Sequence, residues 1–172
     1  MASLRANLPD AEALVSALAA MIKADITPDT ALVGIHTGGV WLAERLQTML
    51  GVTTKLGTLD ITFYRDDFDE RGLHRDAKRS TIPFDVAGKD IVLVDDVLYT
   101  GRTIRAAMNE LFDYGRPARI RLAVLVDRQS RELPIGAQFV GMTMLMPDDE
   151  MLVLERSDRG ALAFKQIKKE PR

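Results

Sequence analysis

Two adjacent carboxylates, Asp95 and Asp96, stand at the end of the apolar run Ile91 to Val94, and the turn Thr100-Gly101-Arg102-Thr103 follows them. Ionised carboxylates accept hydrogen bonds and donate none, so the pair suits a vicinal diol or a divalent cation and would repel a phosphate. The turn opens a segment of helical spacing. The first backbone N–H groups of such a segment have no partner within the helix; together with the positive end of the macrodipole and two threonine hydroxyls they suit an oxyanion. Ribose 5-phosphate carries both ends, a diol and a phosphate monoester. Asp95, Asp96, Tyr99, Thr100, Gly101, Arg102 and Thr103 are therefore the candidate ribose 5-phosphate site, with Asp95 and Asp96 the candidate catalytic pair. Either half alone reads as a strand end or a helix cap; both in register after a buried strand read as one site.

Elements that must position these groups alternate along the chain. Leu14, Leu18, Met21 and Ile22 lie at helical spacing within residues 10–24. Residues 31–35 form a short apolar strand, and His36-Thr37-Gly38-Gly39 breaks it before a second helix from about residue 40 to 50. Residues 52–64 have strand character. Residues 65–80 are dense in charge and nearly free of aliphatics, the composition of a mobile loop or exposed hairpin. After the Asp-Asp strand and a helix running to about Tyr114, residues 119–127 read as a strand buried on both faces. Residues 138–143 and 151–154 complete a strand-rich tail. Strands alternating with helices predict an α/β fold, a mainly parallel sheet with helices on both faces and sites at the strand carboxyl ends.

The 172 residues suffice for one domain, 1–172, with a real core. A formal net charge of −2 gives no global positive field for nucleic acid or acidic membranes. The absence of cysteine excludes disulfides, thiolate zinc sites and cysteine nucleophiles, and two isolated histidines make a poor metal site. No apolar run approaches the roughly 20 residues that span a bilayer, so a cytoplasmic protein without a membrane partner is expected.

The Asp-Asp and Thr-Gly-x-Thr pattern resembles the diphosphoribosyl-binding signature of type I phosphoribosyltransferases. Four blocks extend the likeness: Leu-Val-Gly-Ile-His-Thr-Gly-Gly-Val from Leu32, Leu-Asp-Ile-Thr-Phe-Tyr-Arg-Asp-Asp from Leu59, Val-Leu-Tyr-Thr-Gly-Arg-Thr from Val97, and the stretch from Leu122 through Arg-Glu-Leu-Pro-Ile. In that order they resemble the pyrimidine-operon attenuator/uracil phosphoribosyltransferase family over nearly the whole chain. The resemblance implies a five-stranded, mainly parallel sheet with a small hood and a flexible loop. It implies transfer of the phosphoribosyl group from phosphoribosyl diphosphate to uracil, giving UMP, with Mg²⁺ reached by Asp95 and Asp96 indirectly, through ribose hydroxyls or water.

Thr37, Gly38 and Gly39 then become the diphosphate loop, since glycines let backbone N–H groups approach an anion closely. Better-known members carry arginine where this chain has Gly38. Lys78 and Arg79 are the cations a closing loop would bring. Tyr99 stands where purine-using relatives have an aspartate, which favours a pyrimidine. Asp127, Arg128, Phe139 and Val140 are the expected base pocket. Attenuator members also bind leader messenger RNA with uridine nucleotides as co-ligand and form homo-oligomers. Their RNA-contacting positions fall here at Val15, Ala19, Ala24, Ser130, Arg131, Gly136 and Met142, of which only Arg131 is basic. Because affinity for a phosphate backbone follows the charges neutralised, the enzyme role leads, and a UMP-sensing RNA attenuator with vestigial catalysis is the alternative.

Overall fold

The computed structural model describes residues 8–61 and 79–169. Helix α1 spans Ala11–Lys23, and the Asp10 side chain caps it by accepting from the Ala13 amide at 3.1 Å. Its buried stripe is Val15, Leu18, Ala19 and Ile22, while Met21 is exposed. Leu14 packs against the same core, so of the expected stripe Leu14, Leu18, Met21 and Ile22 only Met21 faces outward.

Five strands, β1 (Thr30–Ile35), β2 (Gly57–Leu59), β3 (Asp90–Leu98), β4 (Arg119–Asp127) and β5 (Phe139–Thr143), form one sheet in the order β2-β1-β3-β4-β5. Every adjacent pair is parallel. Helix α2 (Gly38–Leu50) follows β1 and helix α3 (Arg102–Tyr114) follows β3. Side chains of β3 alternate between two cores: Val92 and Val94 pack with α1 and α2, Ile91 and Leu93 with α3. The chain leaves β1 toward β2 but leaves β3 toward β4, so the strand order reverses between β1 and β3. A crevice opens there at the strand carboxyl ends, flanked by the N-termini of α2 and α3.

The strand expected over 52–64 shortens to Gly57–Leu59, an edge strand held by β1 and by a bridge between Thr58 and Thr81. Most of the expected charged loop, Lys78 included, lies outside the described residues. The tail forms an antiparallel hairpin of β6 (Glu150–Arg156) and β7 (Leu162–Lys168). Leu152, Leu154, Leu162 and Phe164 bury into the α1–α2 core, which makes the hairpin a hood beside the crevice. It is tied down at its turn, where Glu12 of α1 accepts from Arg45 at 2.5 and 2.7 Å and from the Leu162 amide at 2.8 Å.

At the opposite, amino end of the sheet sits a buried ionic cluster. Asp90 accepts from Arg119 at 3.0 Å through both carboxylate oxygens, from Arg121 at 2.8 Å and from the Thr30 hydroxyl at 3.2 Å. Arg121 also pairs with Asp25. Burial raises the Asp90 pKa, but the Arg119 hydrogen bond and the two guanidinium charges, with the Thr30 hydroxyl, outweigh it and hold the carboxyl below its ordinary value.

Candidate active site

Strand β3 outruns β1. Its last pair with β1 is Gly34 with Val94, whereas pairing with β4 continues to Leu98. Asp95 and Asp96 thus lie within the strand, facing an edge where β1 has ended. Asp95 is only 3 % exposed, and Asp96 is half-buried. Asp95 Oδ1 accepts from the Asp96 amide and Asp96 Oδ1 from the Val97 amide, each at 3.0 Å. The N-terminus of α2 closes on the pair from above. A Cβ on Gly39 would lie 2.5 Å from the Val94 carbonyl and 3.1 Å from Asp95 Cα, and one on Gly38 would strike the Asp96 carboxylate. Only glycine permits that approach.

The anion loop is built by a left-handed residue and a brace. Gly101 has φ +94° and begins α3, and a side chain there would also press on Ile135 at 3.0 Å. The Thr100 hydroxyl accepts from the Arg102 amide at 3.2 Å. From the loop after β4, the Glu132 and Leu133 amides donate to the Thr100 carbonyl at 3.0 and 3.2 Å, and Arg131 Nη1 donates to the Tyr99 carbonyl at 2.9 Å. The first turn of α3 is thereby held with its N–H groups at the crevice.

These pieces enclose one cavity of about 350 Å³. Thr37 and Gly38, Asp95 and Asp96, and Tyr99, Thr100, Gly101 and Thr103 all line it. Gly39 and Arg102 do not; Gly39 abuts β3, and Arg102 is engaged with Glu132 at 2.7 Å. Arg79 is exposed and away from the cavity lining. Of the expected base pocket, Arg128 lines the cavity. Phe139 is core beneath Arg121, Val140 packs in the α3 core, and Asp127 accepts from Arg131 at 2.6 Å. A strand Phe or Val faces whichever core its register dictates, and β5 lies two strands from the crevice.

The residues the sequence did not single out come from the hood and α2: Trp41, residues 151–154 and Lys169 line the cavity. Periodicity marks residues 151–154 as a strand, but nothing local places that strand over a site formed far earlier in the chain, at residues 95–103. Of the positions matched to RNA contacts, two are buried and the one cation is engaged. Val15 and Ala19 are core residues, and Arg131 spends its guanidinium on the Ile135 and Tyr99 carbonyls and on Asp127.

A parallel sheet with an anion loop, an acidic pair and a glycine turn meeting at its switch point defines a type I phosphoribosyltransferase. The phosphoribosyl transferase domain model matches residues 6–151. A hypoxanthine phosphoribosyltransferase from Staphylococcus aureus superposes with TM-score 0.64 at 20 % identity, covering 89 % of this chain and 86 % of that one. The "Bifunctional protein PyrR" of Ralstonia nicotianae is 47 % identical over 167 residues, 95 % of each chain, and that of Pseudomonas fluorescens 48 % over 152 residues, 86 % of this chain and 90 % of its own. The chain belongs to the PyrR family.

Proposed function

We propose that this protein transfers the phosphoribosyl group of phosphoribosyl diphosphate to uracil, yielding UMP and diphosphate. The observation that carries the reading is the single cavity in which the Thr37–Gly38 turn, the Asp95–Asp96 pair, the first turn of α3 and the hood converge. Bond formation from uracil N1 to ribose C1 breaks the C1–oxygen bond to diphosphate, and the N1 proton passes to solvent. Little covalent help is needed; the protein must orient both partners, receive the leaving anion and exclude water. The α3 amides and the hydroxyls of Thr100 and Thr103 would hold the 5-phosphate. Asp95 and Asp96 would accept from the ribose diol. The Thr37–Gly38 backbone would meet the diphosphate, with Lys78 and Arg79 as cations brought by the loop.

Mg²⁺ fits this donor set. Among the described residues no three His, Cys, Asp or Glu side chains converge on a metal site, so two carboxylates would hold the hydrated ion only together with ribose and diphosphate oxygens. Bound there, it neutralises charge on the leaving group.

Under this reading the base lies between Arg128 and the hood residues 151–154. Tyr99, whose hydroxyl donates to Asp148 at 3.1 Å, offers no resting carboxylate to a purine ring nitrogen. A turnover assay with radiolabelled uracil against a panel of competing bases tests it; preference for hypoxanthine would refute the pyrimidine assignment. Residues 1–172 are read as one domain, a reading supported by the hood, mostly beyond the matched residues, burying into the same core. No described helix is long and apolar enough to cross a membrane. We place the protein in the cytoplasm with its phosphorylated substrate, as a homo-oligomer whose contacts would cover exposed Phe112 and Tyr114, measurable by sedimentation. RNA attenuation with UMP as co-ligand ranks second, since the one basic residue among the matched positions, Arg131, is engaged with Asp127 and the Tyr99 carbonyl.

A further inference from the structure

Three segments that have no reason to touch in sequence meet at Tyr99. Its ring lies under the Arg128 guanidinium, 4.1 Å from carbon to ring centroid, and under Lys169 Nζ at 5.0 Å. Its hydroxyl donates to Asp148. Arg128 is buried at the end of β4 and donates to the Glu150 carbonyl at 3.0 Å and the Pro147 carbonyl at 2.9 Å, so it grips the entry to the hood. Lys169 follows β7 at the same end of the hairpin, beside the start of β6, and its amide donates to the Asp149 carbonyl at 2.7 Å. Tyr99 itself is the residue before Thr100, where the anion loop begins. Two cations near one ring repel each other; the negative face of the ring offsets part of that repulsion, and the Glu150 and Pro147 carbonyls hold Arg128 in addition.

We propose that Tyr99 is a positioning residue that couples the two halves of the pocket: an anion settling on the 100–103 loop fixes Tyr99, and Tyr99 fixes the hood over the base. This rests on the ribose 5-phosphate reading of that loop and adds to it. Its hydroxyl and ring act through Asp148, Arg128 and Lys169, so their loss weakens the linkage between phosphate and base more than it weakens either site. Such linkage is reciprocal: whatever ribose 5-phosphate adds to the affinity for uracil, uracil adds to the affinity for ribose 5-phosphate.

The chain's single tryptophan makes the coupling visible. Trp41 lines the cavity and lies 4.9 Å beneath the guanidinium of Arg156, which belongs to the hood. The experiment titrates the purified protein with ribose 5-phosphate and with uracil, each alone and each in the presence of the other, by calorimetry and by Trp41 emission. In the wild type, saturating ribose 5-phosphate should tighten uracil binding by at least about fivefold, the lower end of ordinary coupling, and Tyr99→Leu should bring that factor to within about twofold of unity. Because Tyr99 lines the cavity, the variant should bind ribose 5-phosphate alone somewhat more weakly, by a smaller factor than the coupling it loses, and the ligand's effect on Trp41 emission should be lost. Tyr99→Phe, which keeps the ring between its cations, should retain part of the factor, and Lys169→Met should lower it. An unchanged factor in Tyr99→Leu overturns the proposal, as does a wild type that binds both ligands with no linkage. A wild type that binds no ribose 5-phosphate would instead sink the phosphoribosyl reading, a result calorimetry separates from binding without coupling.

Discussion

At the scale of single residues, chemistry and packing make opposing demands on the acidic pair. Asp95 lies nearly buried with Oδ1 on the Asp96 amide, so the isosteric Asp95→Asn, Asp96→Asn double variant keeps an acceptor and removes charge. We expect it to fold, by circular dichroism, and to lose turnover to background in the uracil assay; wild-type turnover would exclude the pair from the reaction. Gly38 poses the sharper test. Arginine in better-known relatives suggests that Gly38→Arg would restore a cation beside the diphosphate. The Cβ it adds would strike the Asp96 carboxylate, and a displacement of even about 1 Å at a reacting centre costs on the order of 100-fold. Gly38→Arg should therefore lower kcat/KM, and a gain would mean that α2 yields more readily than its packing against β3 implies.

Among elements, the hood is held by few bonds, and its turn is the point to cut. Arg45 and the Leu162 amide, by hydrogen bonding, hold the Glu12 carboxyl below its ordinary value, against a smaller upward push from burial. The pair is about two-fifths exposed, so solvent screens it, and Glu12→Ala should cost roughly 1 kcal/mol, read as a lower denaturation midpoint with faster amide exchange in β6 and β7. Equal exchange in both proteins would show that the buried hood side chains alone hold it. The loop after β4 bears on RNA. With Arg131 committed to the anion loop, binding to a pyrimidine-leader stem-loop should be weak, with a shallow salt slope, since each phosphate contact contributes roughly −0.7 to −0.9. A gel shift titrated with salt checks this; tight, sequence-specific binding at physiological salt would put the regulatory role first.

For the whole molecule, the Asp90–Arg121 ion pair and the candidate site lie at opposite ends of the sheet. Asp90 and Arg121 are buried together below β1, β3 and β4, so Asp90→Ala leaves the buried guanidinium with only the more exposed Asp25 and should cost about 3 kcal/mol. A loss under 1 kcal/mol in urea titration would mean that Asp25 alone satisfies Arg121. The folded Asp90 carboxyl titrates below the unfolded one. Its contribution is therefore complete above the ordinary carboxylate value near 3.8 and is lost as pH falls through the lower folded value. Acid unfolding of the wild type should steepen below about pH 4, and that component should vanish in Asp90→Ala.

Local sequence determined much of this protein because much of it depends on neighbours in the chain. The run Ile91 to Val94, the acidic pair and the Thr-Gly-Arg-Thr turn specify strand, acceptors and helix start within a few bonds, and the expected bounds of β4 match the structure. Glycines 38 and 39 announced a break after β1, though not that they let a helix rest on Asp96 and Asp95. Where β3 ends relative to β1 was not legible, since strand length in a sheet is set by the partner; hence the acidic pair lies within the strand and Asp95 is buried. The same limit governs the base side of the cavity. Phe139 and Val140 carry the residue types of a pocket but their register turns them into the cores, while residues 151–154 and Lys169 reach the cavity only because the hairpin folds back over α1 and α2. Side-chain period reads one face from the other; which face meets a distant element is decided by packing that no local window contains.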